Sequence, residues 1–146
     1  MKKYVIALIV VVLILSGCSG GLDKDKISEF ADPMVENVLQ GLNDGDYATF
    51  SKDFGPIMMG ALNEEIFNTY MKENVVDIIG QYESKELVKA TRESQDGVDY
   101  IVAIYKAKYS IETGDVAITV WFTDDENNRK IETLLFNSPK LIESSN

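Results

Sequence analysis

Three kinds of residue are scarce or absent in this 146-residue sequence: it has no histidine, one cysteine and three prolines. Histidine is the side chain most used for proton transfer near neutral pH and the commonest metal ligand, so its absence excludes much familiar acid–base and metal chemistry. One cysteine excludes an intramolecular disulfide. Basic residues are also few, with 14 against 24 acidic residues and a formal net charge of -10, which argues against nucleic acid as a partner.

What is present is the composition of an ordinary globular protein. Hydrophobic residues make up 45% and charged residues 26% of the chain, enough apolar surface for a stable core. The length fits one domain, because independently folding units usually run to about 100–200 residues. We find no internal repeats, and we expect a single domain over residues 27–142, followed by a tail at 143–146.

The only cysteine, Cys18, follows a segment with the features of a secretory signal. Lys2 and Lys3 give a positive start, and an uncharged apolar run extends from Tyr4 to Leu15. Twelve helical residues at about 1.5 Å each would span roughly 18 Å, well short of a hydrocarbon core of about 30 Å. The run therefore favours a transient targeting role over a permanent membrane helix.

The tetrapeptide Leu15-Ser16-Gly17-Cys18 resembles the lipobox of prokaryotic lipoproteins. The resemblance implies that residues 1–17 are a signal peptide, that a lipid on Cys18 attaches the protein to the cell membrane, and that the domain faces outside the cytoplasm. Stable attachment needs a two-chain lipid, because one acyl chain holds only marginally. We expect residues 18–26 to be a flexible tether; an uncleaved membrane helix or a buried cysteine is the alternative.

The first half of the domain has the spacing of helices. Apolar residues recur at steps of three and four from Ile27 to Leu42. Pro33 interrupts this pattern, and we expect Asp32 to cap a helix that begins at Pro33, with the preceding turn kinked or separate. A short helical segment is predicted over residues 46–54. A further helix is predicted from a cap at Asn63 to Gly80, with Ile66, Phe67, Tyr70, Met71, Val75, Ile78 and Ile79 as its apolar stripe.

Beyond Gly80 the apolar period changes to two, which is typical of strands. Four antiparallel strands are predicted, at residues 81–94, 98–111, 115–123 and 129–138, with a hairpin turn at Gln95-Asp96-Gly97. The fold class is therefore α+β, with the N-terminal helices packed on a curved four-stranded antiparallel sheet. The predicted core-facing rows are Ile101, Ala103, Tyr105, Ala107, Tyr109 and Ile111 in one strand, and Val116, Ile118, Val120 and Phe122 in the next.

Three stretches, "LNDGDYATFSKDF" at 42–54, "YKAKY" at 105–109 and "VAITVWF" at 116–122, resemble a family of small envelope domains of unknown function. The similarity covers most of residues 30–136. It implies a cystatin-like or nuclear-transport-factor-like cone, a curved sheet around helices, and no activity. Related cones include isomerases and dehydratases that use aspartate, tyrosine or histidine inside the cone, but fold alone does not transfer a reaction.

Aromatic side chains provide the main candidate site. An apolar wall with a few hydroxyls suits a small ligand, and we expect such a ligand at the mouth of the cone. Ordinary core packing is the alternative for each side chain. The predicted ligand-binding residues are Tyr70, Tyr82, Tyr105, Tyr109 and Trp121.

Two other functions stay open. An enzyme of isomerase or hydrolase type would need Tyr105 or Tyr109 beside a buried carboxylate, with Asp99 and Glu112 as candidates. A structural protein would form a homodimer through the sheet face around Trp121.

The sequence favours a lipid-anchored, extracytoplasmic domain that binds a small apolar ligand or a protein partner. We expect no catalytic residue, no cofactor and no metal. Two acidic clusters, Asn43 to Asp46 and Asp124 to Asn128, lack the ligand spacing of a calcium loop and fit a helix end and a hairpin turn.

Overall fold

The structure, a computed structural model, describes residues 21–146. Cys18 and the predicted signal peptide lie outside the described residues. Helices come first in the chain and strands second, which confirms the predicted α+β class. The elements are α1 (Lys24–Asp44), α2 (Tyr47–Phe50), α3 (Pro56–Ala61), α4 (Glu64–Ile66), a π-helix (Phe67–Val76), α5 (Asp77–Ile79), β1 (Tyr82–Gln95), β2 (Val98–Tyr109), β3 (Val116–Thr123), β4 (Ile131–Asn137) and α6 (Pro139–Ser144).

Helix α1 is one continuous helix, so the expected start at Pro33 is wrong. The Asp23 carboxylate caps its first turn by accepting the N–H of Asp25 at 3.0 Å, and residues 24–26, assigned from the sequence to the tether, are helical. Pro33 removes one backbone N–H, but the buried residues on both sides of it, Ala31 and Val35, keep the turns packed on the core.

The second long helical segment begins and ends where the sequence predicts. The Asn63 side chain accepts the N–H of Ile66 at 3.0 Å, and Gly80 ends the segment with a φ of 88°, a conformation that favours glycine. Its middle part is a π-helix. The buried residues recur at every fourth position, Phe67, Met71, Val75 and Ile79, a spacing wider than the 3.6 of an α-helix, which agrees with the wider π turn.

The four strands form one antiparallel sheet in the order β1-β2-β3-β4, and their bounds confirm the predicted strands to within two residues. Asp96 and Gly97 join β1 to β2 with φ values of 52° and 80°, the positive values that a two-residue type I′ hairpin turn requires. Ile111 lies beyond the end of β2 and is exposed, so it does not continue the core-facing row.

The core lies between α1, the middle helices and one face of the sheet. Helix α1 packs on β1, whereas α3 and α6 pack beside β4. The buried rows of β2 and β3 are Ile101, Ala103, Tyr105, Ala107 and Tyr109, and Val116, Ile118, Val120 and Phe122.

Helix α6 is an element that the sequence analysis did not predict. The Ser138 hydroxyl caps it by accepting the N–H of Leu141 at 3.3 Å, and Pro139 occupies its first position. The carboxylate of Glu112 accepts the N–H of Lys140 at 3.0 Å and so ties α6 to the loop between β2 and β3. Residues 143 and 144, assigned from the sequence to the tail, belong to this helix.

Candidate functional site

A groove of about 550 Å³ lies beside the outer edge of β4. Helix α3, the π-helix and α6 form its other walls. Three of its apolar side chains are largely exposed: Ile57 at 61%, Tyr70 at 57% and Leu135 at 56%. Soluble domains seldom expose large apolar side chains together without a function for them, and the groove has the size of a small-ligand pocket. It is therefore the strongest candidate site.

The groove runs along the edge of the sheet and not over one face of it. Thr133, Leu134, Leu135 and Phe136 all line it, although successive side chains of a strand point to opposite faces. Leu134 and Phe136 also pack against the core, whereas Leu135 does not. Only a cleft at the strand edge meets both sets of side chains.

Tyr70 is a predicted site residue that does line the groove. The sequence placed it in the buried stripe of its helix, but 57% of it is exposed, so that placement is wrong. Its neighbour Met71 is buried instead. The π-helix accounts for this difference in burial, because its wider turn carries Tyr70 further away from the buried row of Phe67, Met71 and Val75. π-helical segments occur frequently at functional sites.

The buried carboxylate of Glu132 holds α3 against β4. It accepts the backbone N–H of Ile57 at 2.9 Å and of Met58 at 3.3 Å, two of the donors that a helix N-terminus leaves without an internal partner. Gly55 makes this approach possible, since a Cβ there would lie 2.0 Å from a Glu132 carboxylate oxygen. The position of one wall of the groove thus depends on this contact.

The groove lining carries almost no free charge. It includes no lysine or arginine, and its one carboxylate is that of Glu132, which is occupied with α3. The polar side chains of the wall are neutral, such as Asn74, Thr133 and Ser144. The groove is therefore suited to an uncharged apolar or amphipathic ligand.

The tyrosines of β1 and β2 lie in the core and not in the groove. Tyr105 donates its hydroxyl hydrogen bond to Asp32 at 2.8 Å, and Tyr82 donates to Glu36 at 2.9 Å. The two carboxylates are four positions apart and share one face of α1. The ring of Tyr109 lies 5.9 Å from that of Tyr82, and its buried hydroxyl has no hydrogen-bond partner within residues 21–146.

The electrostatics of this cluster favour a structural role. Burial, together with the hydrogen bond to Asp32, raises the pKa of Tyr105, and burial raises the pKa of Tyr109. Partial burial acts to raise the pKa of Glu36, but hydrogen bonds from Lys85, Gln40 and Tyr82 outweigh it and hold this pKa below its usual value. General acid–base groups work best with a pKa near the operating pH, and these shifts lead away from it.

The carboxylates expected beside the tyrosines lie elsewhere, so that pairing is wrong. Asp99 pairs with Ser94 in the first hairpin, and Glu112 accepts the N–H groups of Gly114 and Lys140. Asp32 partners Tyr105 instead. No local pattern signals this contact, because 73 positions separate the two residues.

Trp121 lies on the sheet face opposite Val120 and Phe122. It is half-buried, and its ring lies 5.5 Å from that of Tyr100. The structure thus brings together Tyr82, Tyr105 and Tyr109, but it places Tyr70 in the groove and Trp121 behind the sheet. The five predicted ligand-binding aromatics do not line one cavity.

The two acidic clusters have structural contacts. Asn43 donates to the C=O of Tyr82 at 2.9 Å and accepts its N–H at 2.8 Å, which joins α1 to β1. Asp46 caps α2, and Asp124 pairs with Arg92. Over residues 21–146 no three acidic or cysteine side chains are grouped so as to hold a metal ion.

Comparison with known proteins adds the family. A sequence profile described as "Protein of unknown function (DUF3887)" matches residues 35–134. The chain belongs to this family. The DUF3887 match extends from the middle of α1 into β4, so it includes α3, the π-helix and the first four residues of the edge strand, but not Leu135, Phe136 or α6. No curated protein sequence matches the chain. Within residues 21–146, no helix of the DUF3887 protein is long and apolar enough to cross a bilayer.

Proposed function

We propose that this DUF3887 protein is a lipid-anchored, extracytoplasmic binding domain, non-catalytic, whose ligand site is the groove beside β4. In this proposal the helices and sheet form a cystatin-like or nuclear-transport-factor-like cone. The ligand is uncharged and apolar or amphipathic, and it binds at the strand edge, outside the filled core.

One observation carries the proposal. Ile57, Tyr70 and Leu135 come from three different elements, all three line the same groove, and each has more than half of its surface exposed. Burying apolar area contributes about 25 cal/mol per Å², so a ligand that covers these side chains gains affinity from all three walls.

Attachment at Cys18 is supported by the lipobox-like tetrapeptide and by the short apolar run before it. We expect Cys18→Ser to abolish metabolic labelling with a palmitate analogue and to leave the precursor unprocessed. The full wild-type chain, expressed in the same cells, is the control. Undiminished labelling of the variant would contradict the anchor.

The groove is tested by photolabelling of the full lipidated chain in nanodiscs with an uncharged alkyl diazirine. We expect label on the segments that contain Ile57, Tyr70 and Leu135, and we expect excess unlabelled long-chain alcohol to compete with it. Leu135→Asp should reduce this competed labelling by at least tenfold, because it places a charge in an apolar site.

Val88→Asp is the matched control. Val88 lies on β1, the other edge strand, and is 40% exposed, so the same change there adds the same charge far from the groove. Equal labelling of both variants, or labelling that excess alcohol does not reduce, would contradict a ligand site in the groove.

A further inference from the structure

The outer edge of β4 presents main-chain groups to the groove. Two backbone hydrogen bonds at the end of β3 show which neighbouring strand each residue faces. Asp124, just after β3, donates its N–H to the C=O of Asp99 in β2 at 3.0 Å, and Thr123 donates its N–H to the C=O of Lys130, just before β4, at 2.9 Å. The main-chain N–H and C=O groups of successive residues in an antiparallel strand point alternately to one neighbouring strand and to the other. Like those of Thr123, the main-chain groups of Trp121 and Thr119 therefore point toward β4.

The register then assigns the groups of β4. Trp121 pairs with Thr133 and Thr119 with Leu135, so Thr133 and Leu135 direct their N–H and C=O toward β3. The residues between and after them, Leu134 and Phe136, direct theirs outward. Within residues 21–146, no hydrogen bond joins these outward groups to another element.

The same edge already accepts a main-chain partner at its beginning. Ile131 donates its N–H to the C=O of Asp53 at 2.8 Å and accepts the N–H of Gly55 at 2.8 Å. Phe54 and Ile131 form a parallel bridge. After Gly55 the chain turns into α3, and the edge from Leu134 onward borders the groove.

Resting on the function proposed above, we propose that the groove binds an extended, uncharged polypeptide segment, which adds to the sheet as a fifth strand beside β4. Addition of a strand to an open sheet edge takes its affinity from main-chain hydrogen bonds and its specificity from side-chain pockets. The outward groups of Leu134 and Phe136 supply the first, and the apolar walls at Tyr70 and Ile57 supply the second.

The length of the groove agrees with this occupant. It follows β4 from Glu132 to Phe136, and five strand residues at about 3.3 Å each span roughly 17 Å. A second copy of the chain fits poorly, because a twofold interface places the same patch on both subunits. Two concave grooves that face each other would leave a void between the subunits, whereas an extended segment would fill the groove.

The test uses a probe that differs only in its backbone. The probe is a fluorescent six-residue peptide of alternating valine and threonine with blocked ends, and its control is the same peptide with N-methyl groups on the alternate amides of one edge. Binding to the full lipidated chain in nanodiscs is measured by anisotropy. Hydrogen–deuterium exchange of the amides at Leu134 and Phe136 is measured in parallel.

We expect the unmodified peptide to bind, to slow exchange at both amides, and to lose at least tenfold in affinity on N-methylation. Leu135→Asp should weaken binding at least tenfold, and Val88→Asp should leave it unchanged. Equal binding of the two peptides, or no slowing of exchange, would overturn strand addition.

The outcomes separate this proposal from the one on which it rests. Competed diazirine labelling without peptide binding keeps the groove as a ligand site and overturns its assignment to polypeptide. Loss of both signals overturns both proposals. Slowed exchange at Leu134 that appears without peptide and grows with protein concentration assigns the edge to a second copy and overturns the polypeptide assignment.

Discussion

The hydroxyl of Tyr105, in the centre of the sheet, donates a hydrogen bond of 2.8 Å to the carboxylate of Asp32 on α1. Tyr105 is fully buried and Asp32 is half-buried, so the bond joins the core to the surface of the helix. Hydrogen bonds to a charged group contribute about 1.5–3 kcal/mol. This contact, with that of Tyr82 to Glu36 one turn later, fixes how α1 sits on the sheet.

Replacing Tyr105 by phenylalanine should lower the free energy of unfolding by about 1.5–3 kcal/mol, because it removes a charge-assisted hydrogen bond and keeps the ring. Urea unfolding measures the change. Tyr70→Phe is the control, since the side chain of Tyr70 is mostly exposed, and it should change stability by less than about 0.5 kcal/mol. Equal effects of the two substitutions would contradict the role given to the Asp32 contact.

Tyr109→Phe should have the opposite outcome from Tyr105→Phe. The hydroxyl of Tyr109 is buried without a hydrogen-bond partner in the described part of the chain, and an unsatisfied buried polar group costs about 1–3 kcal/mol. We therefore expect this variant to be as stable as the wild type or up to about 1 kcal/mol more stable. A loss of stability like that of Tyr105→Phe would show that the hydroxyl has a partner in solution.

The three buried tyrosines predict that the fold is labile in alkali. Burial raises the pKa of Tyr82, Tyr105 and Tyr109, so above pH about 10, the unfolded value, the unfolded chain loses protons that the folded chain keeps. Their stabilisation is full below that pH and is lost as the pH rises further.

Urea midpoints between pH 9 and 12 measure this loss. In Tyr105→Phe the decline of the free energy of unfolding above pH about 10 should be shallower by up to about 1.4 kcal/mol per pH unit, the linkage slope of one proton. A decline as steep as that of the wild type would show that Tyr105 does not contribute to it.

The lowered pKa of Glu36 predicts how the stability of the fold changes in acid. Its pKa is held below the usual value because hydrogen bonds from Lys85, Gln40 and Tyr82 outweigh the effect of partial burial. A lowered pKa stabilises the fold above the unfolded value of about 4.3, and the stabilisation is lost as the pH falls through the folded value. Glu36→Gln should therefore flatten the decline in stability below pH about 4.5, measured as the urea midpoint against pH. A decline in the urea midpoint below that pH that is as steep in Glu36→Gln as in the wild type would contradict the prediction.

The sequence predicts the strands far better than it predicts the candidate site. Alternation gives the buried rows of β2 and β3, because one face of the sheet is packed against the helices, and turn residues such as Asp96 and Gly97 help to set the bounds of the four strands. The groove depends on where α3 and α6 meet β4, which no local pattern contains. Tyr70 shows the limit most clearly: its spacing fits the buried stripe of an α-helix, and the π-helix leaves it exposed on the groove.

Gly55→Ala and Gly60→Ala form a matched pair at the start and near the end of α3. At Gly55 a Cβ would lie 2.0 Å from a carboxylate oxygen of Glu132. The substitution must therefore displace the carboxylate that accepts the backbone N–H groups of Ile57 and Met58. We expect a loss of about 1–3 kcal/mol, the cost of leaving a buried charged group and its donors unsatisfied. At Gly60 a Cβ meets nothing within 4 Å, and alanine should stabilise the helix by about 0.5–1 kcal/mol.

The same pair of variants tests whether the Glu132 carboxylate or the packing of Met58 positions α3 beside the groove. If Glu132 fixes α3, Gly55→Ala should weaken labelling of the groove by the alkyl diazirine as well as stability, whereas Gly60→Ala should leave the labelling unchanged. Stability falls in either case, because the clash at Gly55 is steric. Wild-type labelling in Gly55→Ala, under conditions where the variant is folded, would mean that α3 keeps its place through the packing of Met58 and not through the carboxylate.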